Sequence, residues 1–370
     1  MVRYLITTLL SVFIALQLNA QSRREIQIPD ISGFLTLKCD FHMHTVFSDG
    51  DVWPTIRVNE AWEQGLDAIA ITDHIEYRPH SQDIKSDHNR PYEIAKPLAD
   101  QKGIILIRGT EITRKMPPGH LNAIFITNAN LLERDDWFEA CREAKDQGGF
   151  VFWNHPGWKR QQPEKTLWWS QHTRLLEAGI LGGIEAYNHH DYYPEALKWA
   201  FEKNLTLLAN SDVHGPIDDS YDPADSHRPV TLVFATERKA ESIKYALENR
   251  RTAIYFEDKL VGNRKFLAPI FYASVKILTD YVRLENKTVK YIQVHNNSDI
   301  DFIMKGKNSG LGFSYTKEVV LKAHRTTMIE VDGNSEEIKN QPVLKLEYEV
   351  TNLTVAPGEA LQIVLEAYNF

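Results

Sequence analysis

The chain has 370 residues, of which 43% are apolar, enough to bury the core of one large domain and a second small one. Its formal net charge of −8 argues against a nucleic-acid surface, because phosphate backbones require clustered Lys and Arg. The two cysteines, Cys39 and Cys141, do not make a disulfide framework.

The first twenty residues predict a secretory signal peptide. Arg3 gives a positive start, residues 5–18 are mostly apolar, and Asn19-Ala20-Gln21 offers a cleavage point after residue 20. The alternative is a membrane anchor, but the segment is at the short end of what spans a bilayer. We therefore expect an exported protein, periplasmic or secreted, without a stable membrane anchor.

Residues 31–260 predict an α/β domain. Pro54 suits a first helical turn and Gly65 suits the end of that helix. Further helical patterns cover residues 91–102, 134–147, 164–178, 194–203 and 237–249. Short apolar runs between them bring the strand count to about seven, and this alternation predicts a parallel barrel. In such barrels the carboxyl ends of the strands carry the chemistry.

Residues 268–370 predict a small β-sandwich. The pattern there becomes short alternating stretches, such as residues 291–294 and 344–350, separated by turn clusters. The two histidines in this region, His295 and His324, have no nearby ligand partners, so we expect no chemistry from it.

Metal-ligand types stand beside one apolar run after another in the barrel region. His42 and His44 lie two residues apart at a strand end, which puts both imidazoles on one side, and Asp49 follows in a Ser-Asp-Gly turn. The later runs adjoin His74, Glu111, His120, His155, Asp212 and His214. A single ligand-type residue beside an apolar run could be an ordinary polar strand end. The repetition of this pattern along one segment predicts a metal site.

These motifs resemble the PHP superfamily, named for polymerase and histidinol phosphatase. The motifs are Asp-Phe-His-Met-His at 40–44, Thr-Asp-His at 72–74, Gly-Thr-Glu at 109–111, Asn-His-Pro at 154–156 and Ser-Asp-Val-His at 211–214. The resemblance covers about residues 31–256 and implies a distorted (β/α)7 barrel holding three divalent metal ions. Imidazole with carboxylate suits Zn, Mn or Fe.

By position, the resemblance implies a ligand set for each ion. The sets are His42, His44, Glu111 and Asp212 for the first ion, Glu111, His120 and His155 for the second, and Asp49, His74 and His214 for the third. Glu111 would then bridge two ions. The export signal, single barrel and added β-domain are most similar to secreted phosphodiesterases that act on organophosphate diesters.

A site of three cations predicts hydrolysis of a small-molecule phosphoester by a hydroxide that bridges two metals. We favour a phosphodiester because rings such as Trp158 and Tyr192 follow strand ends and could wall an organic arm. The alternatives are a phosphomonoesterase of the histidinol-phosphatase type, a carbamate or carboxylic ester hydrolase, and a metal-free binding module. The oligomeric state is left open.

Three further residues are catalytic candidates. Asp73 could orient imidazoles as a hydrogen-bond acceptor, His190 could protonate the leaving oxygen, and Arg228 could hold a phosphoryl oxygen. The alternative is that Asp73 is a plain solvated acid and that His190 and Arg228 belong to ordinary surface loops.

Overall fold

The computed structural model describes residues 23–222, 226–279, 281–307 and 312–370. The predicted signal peptide, residues 1–20, lies outside the described residues. Within these ranges, none of the helices has the length and apolar character needed to cross a membrane.

A barrel of strands forms the larger domain and confirms the predicted α/β class. The strand order around the barrel is β9-β1-β2-β3-β4-β5-β6-β8, with β7 as a short hairpin partner of β6. The strands are β1 Leu35–Asp40, β2 Ala68–Ile71, β3 Ile105–Ile112, β4 Leu121–Ile124, β5 Phe150–Trp153, β6 Leu181–Asn188, β7 Asp191–Tyr192, β8 Thr206–Asn210 and β9 Val230–Ala235.

Two barrel strands depart from the parallel arrangement that the sequence predicted. β4 runs antiparallel to β3 and β5, and β9 runs antiparallel to β1. The link between β3 and β4, residues 113–120, contains no helix, and a parallel return needs a longer crossover. A chain segment this short therefore brings β4 back antiparallel, which is one source of the barrel's distortion.

Threonine hydroxyls join β8 to the strands beside it. Thr231 Oγ1 on β9 donates to the Ala209 carbonyl oxygen at 2.8 Å and accepts from the Ala209 amide at 2.9 Å. Thr252 Oγ1, on β10 (Thr252–Phe256), donates to the Leu207 carbonyl oxygen at 2.8 Å. These side chains satisfy backbone groups of a buried strand at the point where the barrel closes.

Helices cover the outside of the barrel close to their predicted positions. They are α1 Pro54–Glu63, α2 Arg90–Lys102, α3 Trp137–Asp146, α4 Ser170–Glu177, α5 Pro194–Glu202, α6 Ile217–Ser220, α7 Ala240–Glu248 and α8 Arg264–Ser274, with a 3-10 turn at Ala129–Leu132. α3 begins later than predicted because Asp136 caps it, accepting from the amides of Phe138 and Glu139 at 2.7 and 3.0 Å.

Two packed sheets form the C-terminal part and confirm the predicted β-sandwich. One sheet has the order β12-β14-β18-β16, and the other has β13-β20-β19 with β15 and β17 beyond β19. The strands are β12 Val275–Ile277, β13 Tyr281–Val282, β14 Val289–Asn296, β15 Phe302–Gly306, β16 Phe313–Tyr315, β17 Glu318–Leu321, β18 Thr326–Gly333, β19 Val343–Ala356 and β20 Glu359–Asn369, with a 3-10 turn at Glu336–Asn340.

One sheet continues from the barrel into the sandwich. β10 pairs with β11 (Lys259–Gly262), and β11 pairs in parallel with β19, Leu260 opposite Leu353. Buried residues of both parts, including Phe271 of α8 and Phe302 of β15, belong to one continuous apolar core. The two domains are therefore packed as one body.

A buried histidine fixes the first turn of α4 against the barrel. The ring of His172 stacks on Trp153 with 3.6 Å between ring centroids. Its Nε2 donates to the Pro118 carbonyl oxygen at 2.7 Å, and its Nδ1 accepts from the Trp169 amide at 3.2 Å. Burial lowers the pKa of His172 to about 4. The neutral ring is therefore the form that fits this site.

This burial predicts a loss of stability in mild acid. An unfolded histidine titrates near pH 6.5, so below that pH the unfolded chain binds a proton that folded His172 does not bind. The contribution of neutral His172 to the free energy of unfolding is therefore complete above about pH 6.5 and falls by about 2 kcal/mol by pH 5. Urea unfolding of His172→Gln should show a weaker pH dependence than wild type, with His295→Gln as the surface control. Equal slopes for all three proteins would contradict this.

Candidate metal centre

The candidate ligands gather at the end of the barrel where its parallel strands finish. His74 and Glu111 pair in a parallel bridge just beyond β2, and Met43 and Val213 pair in the same way beyond β1 and β8. His120 precedes β4, and because β4 runs antiparallel, its first residue lies at the same mouth. The reversal of this strand explains why one ligand comes before its apolar run.

The first group consists of two imidazoles and two carboxylates. His42 Nε2 lies 3.0 Å from both Glu111 Oε2 and Asp212 Oδ1. His44 Nε2 lies 3.3 and 3.0 Å from the same two atoms. All but Asp212 are buried. Two nitrogens and two oxygens facing one point form a donor set for a divalent transition metal.

The second group surrounds one oxygen of Asp49. Asp49 Oδ1 lies 3.3 Å from His74 Nε2 and 3.3 Å from His214 Nε2. The ring of His44 stacks on both histidines, with centroids 4.4 and 4.3 Å away, and its Nδ1 lies 3.9 Å from Asp49 Oδ1, so His44 belongs to this group as well as to the first. The side chains of Asp49 and His214 are 22% and 38% exposed, so this group is the one open to solvent.

Hydrogen bonds at Nδ1 select Nε2 as the ligand atom of three imidazoles, because a neutral ring has one free lone pair. The acceptors are Glu185 Oε1 for His42 at 2.9 Å, Thr113 Oγ1 for His74 at 2.6 Å and the Asp212 carbonyl oxygen for His214 at 2.8 Å. His74 Nδ1 is also 3.4 Å from Glu111 Oε2, but its bond to Thr113 assigns its free nitrogen to Asp49.

The third group joins Glu111 to His120. Glu111 Oε1 lies 2.5 Å from His120 Nδ1, while Oε2 faces the first group, so the carboxylate spans two groups. The ring of His155 lies 5.0 Å from that of His120, and its Nε2 is 3.9 Å from Asp212 Oδ2. The predicted set of Glu111, His120 and His155 is thus adjacent, although the tightest grouping of ligand atoms here uses His74 with Glu111 and His120.

Two central carboxylate oxygens show that the site fits metal ions. Among the described residues, Asp49 Oδ1 and Glu111 Oε1 are buried without a hydrogen-bond partner, although imidazole nitrogens lie close to both. A buried carboxylate oxygen with no partner is costly. A divalent cation between each oxygen and its imidazoles would satisfy both.

Titration of the cluster agrees with a site that binds cations. Burial would lower the pKa of His214, but the close approach of Asp49 and the charge of Asp212 raise it to about 9. Burial would raise the pKa of Glu111, but His74 and His120 hold it well below its usual range. Metal ions entering near neutral pH would therefore displace protons from imidazoles.

Two of the candidate ligands have unusual backbone conformations. Asp212 has a φ of 51° and His155 a φ of 28°, in the left-handed region that residues other than glycine rarely adopt. Such conformations cost about 1–3 kcal/mol each and concentrate at functional sites. Here they turn each side chain towards the cluster immediately after a strand.

Glu185 is a central residue that the motifs did not reveal. It lies fully buried on β6, where its Oε1 accepts from His42 Nδ1 at 2.9 Å and from Asn210 Nδ2 at 2.9 Å. Its Oε2 accepts from the His155 amide at 2.7 Å and from Asn188 Nδ2 at 2.8 Å. The signal was a lone Glu inside the apolar run Gly183–Tyr187. It fixes the orientation of His42 and the backbone at His155.

Asp73 holds a loop instead of contacting the imidazoles. Its Oδ1 accepts from the Thr45 amide at 2.6 Å and Ser48 Oγ at 2.7 Å, and its Oδ2 accepts from Thr45 Oγ1 at 2.7 Å. These bonds shape the turn between His44 and Asp49. The predicted catalytic role becomes a positioning one.

Arg228 does not reach the mouth of the site, which corrects the predicted phosphoryl contact. It is 1% exposed, its Nη1 donates to Asp40 Oδ2 at 3.1 Å, and its Nε donates to Gln64 Oε1 at 2.8 Å. Asp40 also accepts from the amides of His42 and Ser211. Arg228 therefore neutralises a carboxylate beneath the ligand loops.

His190 is exposed beside the site. Its Nε2 donates to the Ser220 carbonyl oxygen at 3.2 Å, and its ring packs 4.9 Å from that of Tyr221. The preceding residue, His189, has its pKa lowered by burial, with smaller effects from His190, Asp212 and His214. The charges of the cluster therefore affect the pKa of His189. His190 is instead hydrogen-bonded to Ser220, outside the cluster.

Aromatic rings border the cluster on two sides. The Trp158 ring lies 5.6 Å from that of His120 and 5.3 Å from that of His155. The sequence predicted a ring beside the site at this position because Trp158 follows a strand end. Tyr77, which is 53% exposed, lies 6.0 Å from His74. Tyr192 stacks on Tyr187 at 4.7 Å.

Comparison with known proteins identifies the protein family to which this barrel and its ligand cluster belong. The model of the PHP domain matches residues 40–306, and an Ig-like domain model matches residues 275–366. Because the PHP match spans more than half of the sequence, the chain belongs to the PHP domain family.

The proteins similar to this chain include a solved structure and a curated relative. A crystal structure from Bacteroides vulgatus, of a two-domain protein containing a predicted PHP-like metal-dependent phosphoesterase, has a TM-score of 0.89 and 46% sequence identity. The alignment covers 94% of this chain and all of that one. An uncharacterized protein of Methanocaldococcus jannaschii is 39% identical over 209 residues, which are 50% of this chain and 86% of the relative.

The buried position of Glu185 predicts a role in ion affinity. Glu185→Gln keeps the shape but removes the charge that polarises His42, and losses of this kind typically weaken metal binding by about 10- to 100-fold. Chelator competition with Zn²⁺ measures the change. Glu241→Gln, at an exposed position of α7, is the matched control. Affinity within threefold of wild type would contradict this role.

Proposed function

We propose that this protein is a metal-dependent phosphoesterase that hydrolyses small phosphodiesters at a site for three divalent ions. The observation that carries the proposal is the spanning carboxylate of Glu111, whose two oxygens face different groups of imidazoles. Family membership and the description of the Bacteroides vulgatus protein support the phosphoester class.

The proposed ligand sets are those that the family resemblance implies, and the free Nε2 atoms of His42, His74 and His214 support them. His42, His44, Glu111 and Asp212 would hold one ion, Asp49, His74 and His214 a second, and Glu111 with His120 and His155 a third. When bound, such ions lower the pKa of water and draw charge from phosphoryl oxygens.

The protein's own groups set the direction of approach. His42 and Glu111 have no exposed side-chain surface, whereas His214 and Asp49 are partly open, so a substrate reaches the cluster from the Asp49 side. The Trp158 ring packs against the imidazoles of His120 and His155. Glu185 keeps the His42 ring in one tautomer throughout turnover.

The surroundings of the cluster favour a diester over a monoester. A monoester dianion needs cationic partners in addition to the ions. Of the three basic residues considered for this purpose, Lys159, Arg160 and Arg228, the last is buried against Asp40. A diester carries one charge and two organic arms, which suit aromatic walls such as Trp158 and Tyr77.

Replacement of Glu111 tests the shared carboxylate. Glu111→Ala should lose at least two ions together and reduce kcat to background, because both oxygens serve ligand groups. Elemental analysis of purified protein gives the ion content, and chelation of the wild type should abolish turnover. An active Glu111→Ala enzyme, or an active wild type with one ion at most, would contradict the proposal.

Substrate choice tests the diester preference. We expect kcat/KM for an alkyl aryl phosphodiester to exceed that for the matching aryl monoester at least tenfold, about 1.4 kcal/mol in transition-state free energy. Trp158→Ala should reduce the preference, and Trp137→Ala on α3 should leave it unchanged. A tenfold preference for the monoester would contradict the proposal and identify the protein as a monoesterase.

A further inference from the structure

A fully buried arginine in the first turn of α1 joins the loops that carry the ligands. Arg57 is 0% exposed, although arginine is rarely buried unless it is fully paired. It lies outside every metal-ligand motif of the sequence, so the motifs do not reveal it. Folding brings it into place behind the cluster.

Arg57 donates to backbone carbonyl oxygens on two separate loops. Its Nε donates to the His44 carbonyl oxygen at 2.8 Å. Its Nη1 donates to that of Gly215 at 2.8 Å, and its Nη2 to those of Val213 and His214 at 3.1 and 2.6 Å. One planar guanidinium thus connects the loop after β1 to the loop after β8.

The charge of Arg57 is balanced inside the same network. Its Nη1 also donates to Glu60 Oε2 at 2.8 Å, one turn along α1. The other oxygen, Glu60 Oε1, accepts from the Ile217 amide at 2.8 Å, at the start of α6. The ion pair therefore holds the loop after β8 at both of its ends.

The same carbonyl groups fix the turn that carries Asp49. The His214 carbonyl oxygen accepts from the Asp51 amide at 2.9 Å as well as from Arg57. Gly50 packs so closely on this network that a Cβ there would lie 2.7 Å from the carbonyl carbon of His44. Asp49 and His214 are therefore held in register through backbone atoms that Arg57 binds.

We propose that Arg57 is a positioning residue for the ion held by Asp49, His74 and His214. Arg57 fixes the backbone of His44 and of residues 213–215 and does not contact the substrate. The inference rests on the proposed metal function of the cluster, but it concerns the affinity of one ligand group, which is measured without substrate. Lysine cannot replace it, because one ammonium cannot reproduce a planar fork of five N–H donors.

Titration of the metal-free protein with Mn²⁺, followed by electron paramagnetic resonance, tests this role. Arg57→Lys should weaken one binding step at least tenfold and leave the others within threefold. Arg108→Lys on β3, which binds Asn89 and the Tyr92 ring, is the control for the same change elsewhere in the barrel. Unchanged Mn²⁺ affinity in Arg57→Lys would overturn the proposal. An equal loss at every step, matching a fall in Tm, would also overturn it.

A double variant separates positioning from general destabilisation. If Arg57 acts through the Asp49 group, Arg57→Lys should have no further effect on Mn²⁺ binding in an Asp49→Asn background. A further tenfold loss there would contradict the assignment. If Arg57→Lys does not fold, Glu60→Gln removes one acceptor from the same network, and a two- to fivefold loss at the same single step is expected. No loss would overturn the proposal.

Discussion

The burial of Glu111 among imidazoles is the interaction on which this site depends. A carboxylate with no exposed surface is tolerated only with compensating charge, and His42, His74 and His120 all lie within 3.4 Å of its oxygens. Its two oxygens face different ligand groups, so the position of this one side chain sets the spacing between the groups. The barrel wall therefore has to bring the ends of β1, β2, β3 and β4 together at this point.

The protein achieves that precision by fixing the backbone beneath the ligands. Asp73 closes the turn before Asp49, the Arg228–Asp40 pair holds the amides near His42, and Arg57 binds the carbonyls near His44. All four charged groups are buried, and Asp73, Asp40 and Arg57 bond directly to main-chain atoms. Backbone strain at Asp212 and His155 can persist because the surrounding bonds determine those conformations.

The sandwich contributes to the barrel through shared structure. Because β11 pairs with β19, removal of the C-terminal part would leave an exposed sheet edge and uncover apolar residues of α8. The candidate ligands among the described residues all lie in the barrel. The sandwich therefore supports the chemistry by completing the fold that carries it.

The sequence by itself determined the barrel, the sandwich and the nine ligand candidates, because ligand spacing at strand ends and alternating apolar runs are local properties. It did not determine that β4 returns antiparallel, that Glu185 holds His42, or that Arg228 is turned into the core. Those facts depend on which distant segments become neighbours, and a lone Glu or Arg carries no periodic signal. Only the tertiary structure decided whether each charged side chain faces the ligand cluster, another charge or the backbone.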